Sequence, residues 1–279
     1  MAPPTLSQQA EVFRSLHAAG KPLVLVNAWD AVSARLIEEA GAPAIATTSA
    51  GLAWSLGYAD GERLPREELV AAVARIRRVV KGPLTVDLER GYGRSPEEMT
   101  QLVGELLDLG VVGLNIEDGV DRETGRLVPS QLLCDRIASL RTLAARREVQ
   151  LFVNARTDAY FAPQPGPQGR FDEALERARQ FAAAGADGIF VPGMVEIGEI
   201  GRFARAIELP FNVYAGYAGV PPVDALAAAG VRRVSLGCGP LQATLGLLRR
   251  LTVEALEKGR TEVMTADQVS VRELNALFT

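Results

Sequence analysis

The sequence predicts an α/β fold, a (β/α)₈ TIM barrel, and three observations support that prediction. Eight short apolar stretches alternate with stretches of helical periodicity along the 279 residues. These stretches are apolar throughout, which is typical of parallel strands covered on both faces. Most helical stretches end at a glycine just before the next apolar run. Eight such units at this length favour a closed barrel, and an open doubly wound sheet is the alternative.

The predicted strands and helices follow in regular order. The strands are expected over residues 22–27, 44–48, 83–86, 112–117, 150–155, 188–191, 211–214 and 233–236. The helices are expected over residues 6–19, 31–40, 66–80, 96–109, 131–147, 171–184, 195–207 and 223–229, and from 241 onward. We expect one domain over 1–279, with the barrel over about 21–240 and a C-terminal helical extension over 241–279. Residues 49–64 are expected to form a glycine-containing loop.

The composition argues against several classes of protein. A net charge of −4, a pI near 5.3 and the lack of a Lys/Arg cluster give no basis for nucleic-acid binding. No apolar run approaches the roughly 20 residues that span a bilayer, and the N-terminus lacks the pattern of a signal peptide. Two cysteines, Cys134 and Cys238, exclude a disulfide framework and suit a reducing compartment. We therefore expect a soluble, cytoplasmic protein without nucleic-acid or membrane partners.

The segment Val86-Asp87-Leu88-Glu89-Arg90-Gly91-Tyr92-Gly93 carries the strongest chemical pattern. It closes the third strand with two carboxylates on alternate positions. If the strand continues that far, its two-residue period points Asp87 and Glu89 to the same side. Ser95, Pro96 and Glu98 then provide a helix start. Paired acids at the end of a strand predict a site for a divalent cation.

Other polar residues follow the predicted strands, at the end of the barrel where chemistry takes place. They are Asn27 and Trp29, Thr47 to Ser49, Asp87 and Glu89, Glu117 and Asp118, Asn154, Arg156 and Asp158, and Asn212. An all-oxygen set suits Mg²⁺, or Mn²⁺, better than Zn²⁺. Arg156 offers a bidentate fork for a substrate carboxylate or phosphonate. The glycine near Ser49 is open to two interpretations, a simple turn or a backbone approach to an anion.

The remaining reactive side chains are interpreted as structural. His17 lies in the first predicted helix without a visible partner, so we expect a packing or surface residue. Cys134 and Cys238 are more typical of small buried apolar residues than of nucleophiles.

Several stretches, in order, resemble the isocitrate lyase/phosphoenolpyruvate mutase superfamily from about residue 13 to 239. They are Thr47-Thr48-Ser49-Ala50-Gly51, Leu56-Gly57-Tyr58-Ala59-Asp60, the 86–93 segment, Gly113-Leu114-Asn115-Ile116-Glu117-Asp118, Ala155-Arg156-Thr157-Asp158-Ala159 and Ala183-Ala184-Gly185-Ala186-Asp187-Gly188-Ile189-Phe190. The resemblance implies a Mg²⁺-dependent barrel that acts on small 2-oxo or 2-hydroxy carboxylates. It also implies a homo-oligomer, a dimer or a tetramer, that exchanges its eighth helix between subunits.

The resemblance also implies roles for individual residues. Asp87 resembles the direct metal ligand, while Glu89, where the family usually has Asp, and Glu117 resemble acids that hold the metal's waters. Asp60, Glu117 and Arg156 are the implied catalytic residues, and Arg156 also clamps the substrate. The implied substrate-binding residues are Ser49, Ala50, Gly51 and Asn212, to which we add Trp29 from its place after the first strand.

The sequence departs from the family in the loop after the fourth strand. Lyases carry a Lys-Lys/Arg-Cys-Gly-His motif there and phosphonate enzymes a Lys and an Asn, whereas residues 119–126 read Gly-Val-Asp-Arg-Glu-Thr-Gly-Arg. Val191-Pro192-Gly193 likewise replaces a Pro-Glu pair that is common in the lyases. A general acid must then come from elsewhere, with Tyr58, Glu117 or water as the choices.

The expected activity is a Mg²⁺-dependent C–C bond lyase. Its substrate would be a small 2-hydroxy or 2-oxo di- or tricarboxylate, such as isocitrate, 2-methylisocitrate or an oxaloacetate-type acid. Slow turnover is expected, since loss of a placed proton donor commonly costs ~10²–10⁴-fold. Two alternatives stay open: phosphonate chemistry of the phosphoenolpyruvate mutase or phosphonopyruvate hydrolase kind, and a barrel that binds 2-oxo acids without turnover.

Overall fold

The computed structural model describes residues 4–279 apart from 19, 94, 122, 164–165 and 267. The strands are β1 Leu23–Leu25, β2 Asn27–Ala28, β3 Ile45–Thr47, β4 Leu84–Asp87, β5 Val111–Glu117, β6 Phe152–Arg156, β7 Gly188–Phe190, β8 Phe211–Tyr214 and β9 Arg233–Ser235. The α-helices are α1 Leu6–Ala18, α2 Ala31–Glu39, α3 Ser49–Ser55, α4 Arg66–Val79, α5 Pro96–Asp108, α6 Ser130–Arg146, α7 Arg170–Ala183, α8 Ile197–Ala206, α9 Val223–Ala228, α10 Gly239–Lys258 and α11 Val271–Ala276. A 3₁₀ turn spans Glu262–Thr265.

The strands form one parallel sheet that nearly closes on itself. Their order is β1-β9-β8-β7-β6-β5-β4-β3-β2, so β1 and β2 stand at the two ends. A single residue, Val26, separates β1 from β2 in the chain, so the two short strands together occupy one strand position of the barrel. Because β1 pairs with β9 and β2 pairs with β3, this interrupted strand joins the two edges of the sheet. The predicted (β/α)₈ barrel is confirmed, and the open-sheet alternative is wrong.

The strand and helix predictions agree with the structure except between residues 49 and 64. The expected loop begins with a helix, α3, whose first five residues are buried. A Cβ atom on Gly51 would lie 2.5 Å from Thr48 Cγ2 and 2.9 Å from Trp29 Cβ. The glycine is therefore required by close packing, a reason that neither of the two interpretations from the sequence included. The predicted features at residues 1–3, 19, 122 and 164–165 lie outside the described residues.

Helix α1 covers the N-terminal end of the barrel. A Cβ atom on Gly113 would lie 2.6 Å from Phe13 Cε1, so the missing side chain makes room for Phe13. The His17 ring stacks on Phe152 with 4.0 Å between centroids, and Phe13 contacts both rings edge to face. His17 is 2% exposed, which makes it a packing residue. This aromatic plug closes the end of the barrel opposite the strand C-termini.

No helix that the structure describes is long and apolar enough to cross a bilayer.

Burial of His17 predicts a specific dependence of stability on pH. Burial first, and then the charges of Arg233 and Arg14, lower the pKa of His17 from 6.5 to about 3. Below pH 6.5 the unfolded chain takes up a proton that the folded state refuses, so stability falls as the pH falls. Since His17→Phe keeps the ring contacts and removes this loss, the variant should gain about 2 kcal/mol over the parent protein between about pH 7.5 and pH 5.

Urea unfolding of both proteins at the two pH values measures this gain. The chain has one histidine, so the comparison isolates its titration from that of any other imidazole. A free-energy difference between variant and parent that does not change with pH would show that His17 titrates normally in the folded protein.

Candidate active site

A cavity of about 130 Å³ opens at the C-terminal end of the barrel. Its polar lining comprises Asn27, Thr48, Ser49, Asp60, Asp87, Asn115, Arg156 and Ser235. Its less polar lining comprises Ala50, Phe161, Phe190, Pro192, Tyr214, Gly237 and Cys238. A larger surface groove of about 520 Å³ borders α1 and α4 at Arg77 and Lys81, away from these residues. The smaller cavity is the candidate site because it gathers charged and polar groups from several strand ends.

Arg156 is held between two carboxylates. Its Nη1 lies 2.9 Å from Glu117 Oε2, and its Nε donates to Asp158 Oδ1 at 2.7 Å. Glu117 and Arg156 are partners in the register of β5 and β6, so the pair follows from adjacent strand ends. Burial acts to lower the pKa of Arg156, but the charges of Asp158 and Glu117 raise it on balance. The guanidinium therefore stays charged, although its side chain is only 20% exposed.

Asp87 reaches the cavity from the last position of β4. The Ser49 hydroxyl donates to Asp87 Oδ2 at 2.9 Å, and the Ser49 backbone N–H donates to the same oxygen at 3.3 Å. The other oxygen, Oδ1, is buried and has no hydrogen-bond partner among the described residues. A buried carboxylate oxygen without a donor is unfavourable unless something else binds it. Oδ1 is thus the atom of the site best suited to a cation.

Glu89 lies near Asp87, but it follows the end of the strand and is not part of it. The strand ends at Asp87, and Glu89 has a left-handed backbone with φ of 47°. The strand does not continue to Glu89, so the condition under which the strand period would point both acids to the same side is not met. The Glu89 carboxylate accepts from the Glu62 backbone N–H at 2.7 Å and from the Tyr92 hydroxyl at 3.0 Å. Burial, followed by the charges of Asp60 and Asp87, raises the pKa of Glu89 to about 7.

Of the other predicted acids, Asp60 lines the cavity and Glu117 does not. Asp60 is an exposed residue of the lining, and its charge acts on Glu89. Glu117 forms an ion pair with Arg156, which lines the cavity, and Glu117 itself lines a neighbouring cavity of about 240 Å³. Burial raises the pKa of Glu117 well above its usual value, against the opposing charge of Arg156. The acids are thus close enough to influence one another electrostatically.

The predicted substrate-binding residues divide into three positions. Ser49 and Ala50 line the cavity at the start of α3. Gly51 and Trp29 pack against each other behind that turn. Asn212 is fully buried, and its Oδ1 accepts from the Ser235 hydroxyl at 3.2 Å. The structure therefore brings Ser49 and Ala50 together with Asp60, Asp87 and Arg156, while Asn212 contributes to a layer below.

Sequence inspection missed several residues of the lining. Asn115 lies two positions before Glu117 on β5, and Tyr214 lies two positions after Asn212 on β8. The two-residue period of the strands could have identified both. Cys238, expected as a buried apolar residue, is half-buried, and its Sγ lies 3.6 Å from the Tyr214 hydroxyl. Phe161 comes from an irregular loop, for which the sequence holds no comparable pattern.

No group of three or more His, Cys, Asp or Glu side chains in the described part of the chain is arranged to hold a metal ion. A cage made of direct ligands from Asp87, Glu89 and Glu117 together is therefore not formed. The free Oδ1 of Asp87 fits the narrower expectation of one direct ligand, with the other acids acting through water.

Comparison with known proteins identifies the family. The profile of the phosphoenolpyruvate phosphomutase family matches residues 13–256. The chain belongs to the phosphoenolpyruvate mutase/isocitrate lyase superfamily. Within it, the 2-methylisocitrate lyase of Escherichia coli K12 is 30% identical over 213 residues, which span 74% of this chain and 69% of that protein. Oxaloacetate decarboxylase 1 of Pseudomonas fluorescens Pf0-1 is 28% identical over 272 residues, spanning 96% and 90%.

A solved structure of the superfamily supports the same assignment. A Burkholderia cenocepacia J2315 protein, provisionally named a phosphonomutase, is 40% identical to this chain. The two align with a TM-score of 0.84 over 90% of this chain and all of that one. The relatives thus include enzymes named for the cleavage of carboxylic acids and a protein named for phosphonate chemistry.

The ion pairs of Arg156 predict the behaviour of an Arg156→Met variant. Methionine would leave Glu117 and Asp158 without their cation, and breaking such a buried pair costs about 3–5 kcal/mol. The deficit should shrink as the pH is lowered, because the pKa of Glu117 is already raised and rises further without Arg156. Thermal unfolding of the variant and the parent protein at neutral and at acidic pH measures this loss of stability. A matched triple variant that adds Glu117→Gln and Asp158→Asn should recover most of the stability; a deficit that persists there would contradict the electrostatic origin.

Proposed function

We propose that this chain is a Mg²⁺-dependent lyase that cleaves a C–C bond in a small 2-hydroxy or 2-oxo di- or tricarboxylate. The observation that carries the proposal is the pairing, in one cavity, of the unpartnered Asp87 Oδ1 with the anchored Arg156 guanidinium. One group suits a cation and the other suits a carboxylate. The superfamily's 2-methylisocitrate lyase and oxaloacetate decarboxylase relatives support the substrate class.

The residues present fit a hard divalent cation. Asp87 Oδ1 would bind Mg²⁺, or Mn²⁺, directly, while Glu89 and Glu117 would hold its waters. When bound, the cation would act as a Lewis acid toward the substrate's oxygens. Burial of these acids without a cation raises the pKa of Glu89 and of Glu117, which a bound cation would reverse.

The chain's own residues would orient the substrate. Nε of Arg156 donates to Asp158 and Nη1 is paired with Glu117, so Nη2, together with the second N–H of Nη1, would be left to bind a substrate carboxylate. Ser49 and Ala50 would approach a second oxygen from the start of α3. Phe190 and Phe161 would exclude water from the opposite wall, and the Phe190 ring lies 5.8 Å from the Arg156 guanidinium. A volume of about 130 Å³ suits a small acid.

The contacts of Tyr58 and Glu117 support water as the proton donor in this proposal. The Tyr58 hydroxyl donates to Glu68 Oε1 at 2.6 Å, and Tyr58 is not part of the cavity lining. Glu117 is paired with Arg156. Water is then the remaining source of the three considered, in agreement with the slow turnover expected for a site without a placed donor.

Phosphonate chemistry is the second candidate. The 40% identity to the provisionally named phosphonomutase favours it, and it would use the same Asp87 and Arg156. The loop over residues 119–126 disfavours it because the Lys and Asn expected there are missing. A barrel that binds 2-oxo acids without turnover is the third candidate.

Product formation from a small panel tests the proposal. Isocitrate, 2-methylisocitrate, oxaloacetate and phosphonopyruvate would each be incubated with Mg²⁺, with EDTA, and with an Asp87→Asn variant. We expect isocitrate, 2-methylisocitrate or oxaloacetate to be turned over with Mg²⁺. The rate of product formation should fall at least ~10²-fold with EDTA or in the variant, because each removes the Lewis acid.

Other outcomes would redirect the assignment. Phosphate or phosphoenolpyruvate formed from phosphonopyruvate would support the second candidate. If no substrate of the panel gives a product, and oxalate raises the melting temperature only with Mg²⁺, the third candidate, a barrel that binds 2-oxo acids without turnover, would be supported.

We further propose a cytoplasmic homo-oligomer, a dimer or a tetramer, in which α10 packs on a second copy of the chain. Of the 20 residues of α10, only Leu241 is buried. Leu245, Leu248 and Leu256 are 44%, 57% and 81% exposed, an unusual apolar surface for a helix in water. The exchange of the eighth helix that the superfamily resemblance implies would cover these leucines. The two free cysteines suit the reducing cytoplasm.

Light scattering on the eluting protein tests the assembly. We expect Leu248→Lys with Leu256→Lys to lower the measured mass to that of a smaller species, because charges would replace the covered leucines. The control is Glu257→Lys on the same helix, which should leave the mass unchanged. A monomeric parent protein would contradict the proposal.

A further inference from the structure

A buried arginine crosses the barrel below the cavity. Arg233 is 1% exposed and lies on β9, where its Nε donates to the Ser235 hydroxyl at 3.2 Å. Its Nη2 donates to Asn115 Oδ1 on β5 at 3.0 Å. In the strand order, β5 lies four places from β9, so the guanidinium reaches from one side of the barrel to the other.

This arginine has no counter-charge in contact. Among the described residues, its side-chain hydrogen bonds go to the neutral Ser235 and Asn115, and its Nη1 is buried without a hydrogen-bond partner. Burial lowers the pKa of Arg233 to about 9, which the charge of Asp87 opposes. An unpaired buried charge destabilises the fold. A contribution to stability therefore does not explain an arginine at this position, whereas its hydrogen bond to Asn115 could.

That residue, Asn115, has its amide orientation defined from two sides. Its Oδ1 accepts from Arg233 Nη2 and also from Asn154 Nδ2, at 3.0 and 2.9 Å. An amide oxygen has two lone pairs, so these two donors occupy its accepting capacity. The Nδ2 side is then what Asn115 presents to the cavity that it lines. Asp87 is the register partner of Asn115, which places this donor beside the carboxylate expected to bind the metal.

We propose that Asn115 is a further substrate-binding residue, and that Arg233 is a positioning residue that turns its Nδ2–H toward an anionic oxygen of the substrate. The inference rests on the proposed function to the extent that the cavity takes a carboxylate. With the opposite amide orientation, Asn115 would present an oxygen that repels such a ligand. Arg233 and Asn154 together exclude that orientation, so both act on the substrate through Asn115.

Oxalate, titrated calorimetrically in saturating Mg²⁺, is the probe. In Asn115→Asp, the side chain keeps its shape and its acceptor for Arg233, but an anionic oxygen replaces the donor. We expect oxalate to bind about 10- to 100-fold more weakly, as for loss of a hydrogen bond to a charged group. The melting temperature should hold or rise, because Arg233 gains a carboxylate. The matched control is Asn275→Asp on the exposed surface of α11, which should bind oxalate like the parent.

A double-mutant cycle tests the positioning role. Arg233→Met and Asn115→Ala should each weaken oxalate binding by about 10-fold, and the double variant should bind no more weakly than Asn115→Ala alone. A purely structural role of Arg233 would weaken binding equally in both backgrounds. Arg233→Lys, if it reaches Asn115, should restore part of the affinity that Arg233→Met loses.

The outcomes separate this inference from the proposed function. If the parent protein binds oxalate and Asn115→Asp binds it equally well, the inference is wrong and the proposed function stands. If the folded parent fails to bind oxalate with Mg²⁺, the proposed function and the inference both fail. Additive losses in the cycle would overturn the role of Arg233 alone.

Discussion

The ion pairs of Arg156 are the interaction on which the site depends. A parallel barrel brings the C-terminal ends of its strands together, so acids placed at those ends come into mutual range. Asp87, Glu117 and Asp158 all do so here, and electrostatic repulsion among them would destabilise the strand ends. Arg156 bridges the last positions of β5 and β6 and offsets part of this charge. The remaining deficit of positive charge lies at Asp87, where a bound cation would be most stabilising.

The interior of the barrel is layered, and each layer imposes a condition on the next. The aromatic plug of Phe13, His17 and Phe152 excludes water from the N-terminal end. Above it lies the polar layer that contains Arg233, whose charge helps to keep His17 neutral. An apolar side chain in place of Arg233 would remove an unpaired buried charge, but it would leave the Asn115 amide oriented by Asn154 alone. In our proposal, the unpaired charge of Arg233 lowers the stability of the layer below the cavity and gives the cavity a donor of defined orientation.

Much of the fold was predictable because its determinants are local. Apolar runs and terminal glycines locate each strand and helix, and Gly110 or Gly185 can be read without knowing the rest of the chain. Helix α3 was missed because its small buried residues are selected by contacts with Trp29 and Thr48. Asp87 and Arg156 were predictable from their place at strand ends. The contact of Arg233 with Asn115 spans 118 residues and exists only once the barrel closes, so no local pattern indicates it.

The loop after β5 bears on where a proton donor for the proposed reaction could come from. Asp121 accepts hydrogen bonds from the backbone N–H groups of Glu123 and Thr124 and from the Thr124 hydroxyl, and Val120 forms an isolated bridge with Leu127. These contacts use the Asp121 carboxylate and the Thr124 hydroxyl within the loop, so neither side chain is free to act over the cavity. The floor, by contrast, keeps Asp87, Ser49 and Arg156 in contact with the space that a substrate would occupy. In the proposed function, recognition of the substrate would depend on groups at the strand ends and at the start of α3. These groups constrain the class of ligand more tightly than they constrain the source of its proton.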